Sequence, residues 1–388
     1  MIEKTIWRFS ATLTLALAAA CAPTPAPTPA PTPPPTSSRA DQPIAAQSAM
    51  VVSASAIASE IGDRVLREGG NAVDAAIATG LALAVTYPTA GNIGGGGFMV
   101  IRFPDGRTTA IDFREKAPLK AHPNMFLDSA GEYSSTIHHR SHLAVGVPGT
   151  VSGFALAHEK YGSREWGHLV QPAVALARDG FKAPPGLAAS LAGAVRRSLA
   201  RYPASVQAYS KNGEPYAEGE VIRLPDLART LERIEKQGRD GFYKGETARL
   251  LAEEMKRGGG LITEEDLARY QAKERTPVRG TYRGYEVISM PPPSSGGVAL
   301  IEMLNILEGY DLRSLGHNSA QHVHYLAEAM RRAFLDRARH LADPRFCDRA
   351  DRQADQQDVR AAAPRQHQPA ESHTVGACRC HSRQRKHG

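Results

Sequence analysis

Four consecutive glycines, Gly94 to Gly97, stand between Ile93 and Phe98. Glycine loses more backbone freedom on folding than any other residue, so such a run costs stability unless tight backbone geometry requires it. The spacing is not that of a phosphate-binding G-x-x-x-x-G-K-[ST] loop, and no Lys-Ser/Thr pair follows. Upstream, Ala72 to Val85 is small and apolar on every side, which predicts a helix buried all round rather than an amphipathic one. Pro88 and Gly91 break it. Downstream, Phe98 to Phe103 and Thr108 to Arg114 have strand character, and Pro104-Asp105-Gly106 between them predicts a hairpin. Alternation then puts Thr109, Ile111 and Phe113 on one face and Ala110, Asp112 and Arg114 on the other, polar face. Arg114 ends the strand just before the chain turns at Pro118. An arginine held there offers a planar fork suited to a carboxylate.

The rest of the body, from about residue 43 to 346, reads as alternating helix and strand signals. Ser53 to Glu68 has Ile57, Ile61 and Val65 at helical spacing and stops at Gly69-Gly70, so it packs on the buried helix. Thr150 is the expected N-cap of a helix over Val151 to Tyr161, with Gly162 as its stop. Leu169 to Arg178 and the Leu227, Leu231, Ile234 stripe closed by Gly238 predict two more helices. Thr263 with Asp266 predicts a helix-start cap. Glu286 to Met290 is a strand, and Met290 to Gly297, MPPPSSGG, is a rigid extended lead into a turn. Ser294 or Ser295 is expected to cap the next helix; no histidine or carboxylate is placed to make either a nucleophile. Ser319 to Arg339 is a long helix with Val323, Leu326, Met330 and Phe334 as its expected buried stripe. His138, His139 and His142 lie close together, but no carboxylate or cysteine stands at ligand spacing, so no metal site is expected.

Several stretches carry a family resemblance: GGNAVDAAIA, GNIGGGGFMV and the DFRE of Asp112 to Glu115, then SHLAVGVPGT (Ser141 to Thr150), MPPPSSGG and Ala342-Asp343-Pro344-Arg345-Phe346. In that order they resemble the large-subunit core of the γ-glutamyltranspeptidase (glutathione hydrolase) family. The resemblance implies an α+β fold, the αββα sandwich of the N-terminal-nucleophile hydrolases, here incomplete for want of the small-subunit half. It implies transfer of the γ-glutamyl group of glutathione to an amino acid, a dipeptide or water, with no metal or organic cofactor. It implies that Arg114 pairs with the α-carboxylate of the γ-glutamyl substrate, with Glu115 as a weaker candidate to orient it. Cephalosporin acylases and poly-γ-glutamate-processing enzymes are the related alternatives.

The two ends read differently. Lys4 and Arg8 precede an apolar run from Phe9 to Ala20, too short to span a bilayer and shaped like a secretory signal. Cys21 follows Leu17-Ala18-Ala19-Ala20, which resembles a bacterial lipoprotein signal with a lipidated cysteine; an ordinary cleaved signal with an incidental cysteine is the other reading. Residues 21–42 are then a Pro/Thr-rich, semi-rigid tether. An exported chain, periplasmic or anchored to the outer membrane, is the expectation. The other three cysteines lie at or beyond residue 347, so no disulfide framework holds the body. The formal net charge of +7 is spread without a dense run or interleaved aromatics, which argues against nucleic acid as a partner.

From Cys347 to Gly388 there is no Leu, Ile, Met, Phe, Tyr or Trp. Such a segment buries too little apolar surface to offset its ordering entropy. The abrupt change reads as a shifted reading frame. The resemblance implies that the catalytic threonine of a Thr-Thr-His-Tyr-Ser-like motif opens the small subunit, and that motif is absent here. Thr374, in Glu371-Ser372-His373-Thr374-Val375-Gly376, does not match it, so no catalytic residue is assigned. The expected partners are γ-glutamyl small molecules such as glutathione and the small subunit of the same precursor. A non-catalytic binding lipoprotein or a fragment without function is the alternative from a different class.

Overall fold

The computed structural model describes residues 45–342. The expectations for the leader, Cys21, the tether, Thr374 and the tail from Cys347 lie outside the described residues. The chain divides into Met1–Ser48 and Ala49–Gly388, and every helix and strand named here falls in the second.

Two helices come first, α1 (Ala56–Arg67) and α2 (Ala72–Thr86), packed against each other. Ser55 caps α1 by accepting from the Ala58 amide, and α1 turns Ala58, Ile61 and Val65 inward. α2 opens in a capping box: Asn71 accepts from the Val73 and Asp74 amides, and Asp74 accepts from the Asn71 amide at 2.9 Å. α2 is buried over most of its surface, with Ile77, Leu81 and Ala82 wholly buried, while Ala72 and Ala76 remain exposed. Each such Ile or Leu contributes about 1.5–3 kcal/mol.

The predicted hairpin follows as β1 (Phe98–Arg102) and β2 (Thr108–Asp112), antiparallel with Phe98 opposite Asp112 and Arg102 opposite Thr108. After it come α3 (Ser135–Arg140), α4 (Thr150–Tyr161) and α5 (Trp166–Asp179). A two-residue ladder of β3 (Phe181–Lys182) and β4 (Val221–Ile222) brackets α6 (Pro185–Arg196) and α7 (Pro203–Tyr209). Next are α8 (Pro225–Gln237), α9 (Asp240–Tyr243), α10 (Gly245–Arg257) and α11 (Glu264–Arg269), the last opened by the predicted Thr263–Asp266 capping box. β5 (Lys273–Arg275) then returns to β2, giving a three-stranded sheet in the order β1-β2-β5. A second hairpin, β6 (Val278–Tyr282) with β7 (Tyr285–Ser289), leads to α12 (Gly296–Glu308) and α13 (Ala320–His340), which pack together. The architecture is α+β, with small antiparallel sheets set among helices.

Four local expectations need correction. The strand β2 stops at Asp112, and its Ala110/Asp112 face is buried rather than polar. Arg275 on β5 neutralises Asp112 there, which makes burial tolerable. The N-cap of α4 is Gly149, because the Thr150 hydroxyl donates instead to Asn92 Oδ1 at 2.6 Å. Ser295 occupies the N-cap of α12 without a side-chain cap; its hydroxyl accepts from Arg337 Nε at 2.8 Å, and Ser294 accepts from the Gly296 amide. The apolar stripe of α13 is not buried: Val323, Leu326, Met330 and Phe334 are 41–51% exposed. The face that meets α12 carries Ala329 and Ala333, whose small side chains let two helices approach.

Candidate active site

The glycine run is a backbone cradle around the exit of β2. Asn92, just past the end of α2, gathers it: Asn92 Oδ1 accepts from the Gly95 amide (2.9 Å) and from the Thr150 hydroxyl. Gly95 O in turn accepts from the Gly149 amide at 2.6 Å and the Thr150 amide at 3.2 Å. Gly97 exchanges both backbone hydrogen bonds with Phe113. A Cβ on Gly96 would lie 2.6 Å from Phe113 O, and one on Gly149 would lie 2.0 Å from the same oxygen. Close backbone approach, not a left-handed turn, is why glycine is needed at both places. Gly94 differs: nothing lies within 4 Å of its would-be Cβ.

Inside this cradle Phe113, Arg114 and Lys116 are each tied by backbone hydrogen bonds. The Arg114 amide donates to Asp112 Oδ1 (3.1 Å) and the Arg114 carbonyl accepts from Tyr270 Oη (2.7 Å). Lys116 exchanges backbone hydrogen bonds with Val147, and its ammonium donates to Gln271 O at 3.0 Å. Asp112 is held from the other side: Arg275 Nε donates to Oδ2 at 2.8 Å, and Nη2 sits 2.7 Å from the same oxygen as an ion contact rather than a second hydrogen bond.

Two arginines of this sheet region thus have opposite surroundings. Arg275 is half-buried and committed to Asp112, whereas Arg114 is exposed. The Arg114 guanidinium makes no hydrogen bond or ion pair among the described residues. Its main chain is fixed while its charged end is presented outward, an arrangement that suits a carboxylate ligand. Glu115 makes no contact with it, so the orienting role considered for that side chain is not seen among the described residues. Tyr270, whose hydroxyl meets the Arg114 carbonyl, carries no sequence signal: it sits in an ordinary Leu-Ala-Arg-Tyr-Gln run.

The histidines divide. His138 and His139 stack on each other, and Tyr133 Oη lies 2.7 Å from His138 Nδ1. His142 pairs with Glu254 at 2.9 Å. Among the described residues no group of three or more His, Cys, Asp or Glu side chains is placed to hold a metal ion.

The glycine cradle and the helices and small sheets around it define an α+β chain whose Arg114 guanidinium has no hydrogen bond or ion pair among the described residues. The Gamma-glutamyltranspeptidase family model matches residues 58–382, and the chain belongs to that family. It is 51% identical over 304 residues to the glutathione hydrolase proenzyme of Escherichia coli K12, covering 78% of this chain and 52% of the relative. It is 41% identical to the acylase ACY 1 proenzyme of Pseudomonas sp. SE83, covering 79% and 56%. Among solved structures it is similar to the Helicobacter pylori γ-glutamyltranspeptidase, with a TM-score of 0.77 and 44% identity, covering 84% of this chain and 95% of that one. The chain therefore spans about half the length of the curated proenzymes, yet nearly the whole of a chain in that structure.

Proposed function

We propose that this chain supplies the α-carboxylate-binding half of a γ-glutamyl transferase and glutathione hydrolase, with Arg114 as the residue that grips the substrate. The observation that carries the reading is the Arg114 guanidinium, without a partner among the described residues, on a backbone whose amide and carbonyl are both bonded, within a chain of this family. The nucleophile comes from a second half. In such an enzyme the hydroxyl of an N-terminal threonine attacks the γ-carbonyl, its own α-amine takes the proton, and the amide to the leaving group breaks. An amine or water then takes the γ-glutamyl group. The 388 residues hold no Thr-Thr-His-Tyr-Ser-like run to furnish that threonine.

The surface supports a two-part enzyme. The stripe of Val323, Leu326, Met330 and Phe334 on α13 is a row of large apolar side chains left in water, as expected where a second half packs. The outer edge of β1 is unpaired among the described residues, and Val100 on it is exposed. The acylase reading is second to the γ-glutamyl one, because identity is 51% to the Escherichia coli glutathione hydrolase proenzyme against 41% to the acylase, and Arg114 suits an α-carboxylate.

We further propose that the chain is exported and tethered through Cys21; the signal-like run and the Pro/Thr-rich spacer support this.

The test is turnover of glutathione or γ-glutamyl-p-nitroanilide. The purified chain is expected to release nothing. Co-expression with the C-terminal half of the Escherichia coli relative is expected to restore release, and Arg114→Gln to abolish it. Turnover by the chain alone, or an Arg114→Gln complex as active as the parent, overturns the reading.

A further inference from the structure

The Tyr270 phenol meets Arg114 at its main-chain carbonyl. We propose that Tyr270 is the positioning residue for Arg114, its buried hydroxyl fixing the Arg114 peptide so that the guanidinium meets the substrate carboxylate. This rests on the assignment of Arg114 to substrate binding made above.

Three independent observations place the hydroxyl. Tyr270 is 2% exposed, and its Oη donates to Arg114 O at 2.7 Å. The ring cannot slide away, because it stacks on Tyr243 with centroids 5.7 Å apart and planes 10° from parallel, under the Lys116 ammonium at 4.6 Å. Tyr243 is itself anchored by donating to Pro148 O at 2.8 Å. Finally, the chain leaves room for the hydroxyl by having no side chain at residue 149: a Cβ there would sit 2.2 Å from Tyr270 Oη. A bulkier residue at that point expels the phenol from its place.

The consequence follows from the peptide that Arg114 O belongs to. Its carbonyl is at the strand exit, past the last ladder pair at Asp112. Without the phenol, the Arg114 amide bond to Asp112 remains, but the Arg114–Glu115 peptide loses its restraint. The long side chain amplifies any rotation there. A misplacement of about 1 Å can cost about 100-fold in rate where geometry is demanded; the loosened peptide is expected to weaken binding by less, about 10-fold.

Tyr270→Phe in the full chain tests this, since it keeps the ring stack and removes only the oxygen. Tyr202→Phe is the comparator, because Tyr202 Oη donates in the same way to Arg140 O at 2.7 Å, outside the cradle. Amide hydrogen exchange of the 113–116 peptide, read by mass spectrometry, is expected to rise at least about 10-fold in Tyr270→Phe and to stay unchanged in Tyr202→Phe. Glutathione binding by calorimetry is expected to weaken about 10-fold in Tyr270→Phe alone. Unchanged exchange at 113–116 overturns the proposal, as does raised exchange with unweakened binding. Arg114→Gln separates the two claims. If it binds glutathione like the parent, or if the parent binds none, the Arg114 assignment fails, while the exchange result still decides whether Tyr270 fixes that peptide.

Discussion

Replacing Gly149 by alanine adds one methyl group where two oxygens already stand. Its Cβ would lie 2.0 Å from Phe113 O and 2.2 Å from Tyr270 Oη, against 3.4 Å for the start of ordinary contact. The two oxygens must retreat by about 1.4 Å and 1.2 Å, or the helix α4 must shift as a whole. Neither is easy. Phe113 O accepts from the Gly97 amide, and Tyr270 Oη is bound to Arg114 O. Gly149 itself has φ −121°, ψ −20°, so alanine suffers no backbone strain and the cost is purely steric. Overpacking of this kind costs about 1–3 kcal/mol, and leaving the Arg114 carbonyl short of its donor adds about 1–3 kcal/mol. A loss of about 3 kcal/mol is therefore expected, read as a fall in urea midpoint at unchanged slope. Gly94→Ala is the control: with open space around it, it is expected to stay within about 0.5 kcal/mol of the parent. Adding Tyr270→Phe to Gly149→Ala removes one of the two clashing oxygens. The pair is therefore expected to couple favourably by about 1 kcal/mol. A Gly149→Ala chain as stable as Gly94→Ala, or strict additivity with Tyr270→Phe, would refute the steric argument.

Other outcomes follow from single contacts. Arg275→Ala strips the partner from buried Asp112 and is expected to cost about 3–5 kcal/mol, whereas Arg114→Ala, exposed and unpaired, is expected to stay within about 0.5 kcal/mol in the same urea titration. Burial, the neighbouring Asp336 charge and a hydrogen bond to it push the Glu302 carboxyl up to about 7. The folded chain thus holds a proton there that the unfolded chain releases near 4.5, so stability from this group is full below pH 4.5 and falls as pH rises through 7. Discounted for its solvent contact, the loss is about 1–2 kcal/mol; Glu302→Gln is expected to flatten the melting temperature between pH 5 and 8, and an unchanged slope counts against it. Leu326→Lys with Phe334→Glu on the exposed stripe is expected to leave stability nearly unchanged and to lower self-association in light scattering, while destroying complementation by a second half. Cys21→Ser is expected to abolish incorporation of radiolabelled palmitate in bacterial cells, and persistent labelling would refute the tether.

Much of the fold was legible in the residues because it is decided locally. The all-round apolar run of α2, the Pro104-Asp105-Gly106 hairpin, the Gly162 and Gly238 stops and the Thr263–Asp266 box each depend on neighbours within a few positions. For the candidate site, the sequence singled out the glycine run and Arg114, but not why glycine is needed there or that Tyr270 Oη meets the Arg114 carbonyl, since Tyr270 arrives from over 150 residues away.

Periodicity by itself determined where α1, α2, the first hairpin, α4, α5, α8 and α13 lie and that α13 has an apolar stripe, but it did not mark α6, α7, α10 or β5. It could not determine which face a neighbour covers, and the contact with α12 fell on Ala329 and Ala333 while the large side chains stayed in water. Likewise the sequence determined that Thr150 and Asp112 are polar, while tertiary contact decided their bonds: Asn92 won the Thr150 hydroxyl from the helix cap, and Arg275 made Asp112 fit for burial. The physical reason is the same in each case. Local pattern sets what a segment can offer, but hydrogen bonds and apolar faces go to whichever partner the folded chain brings within reach.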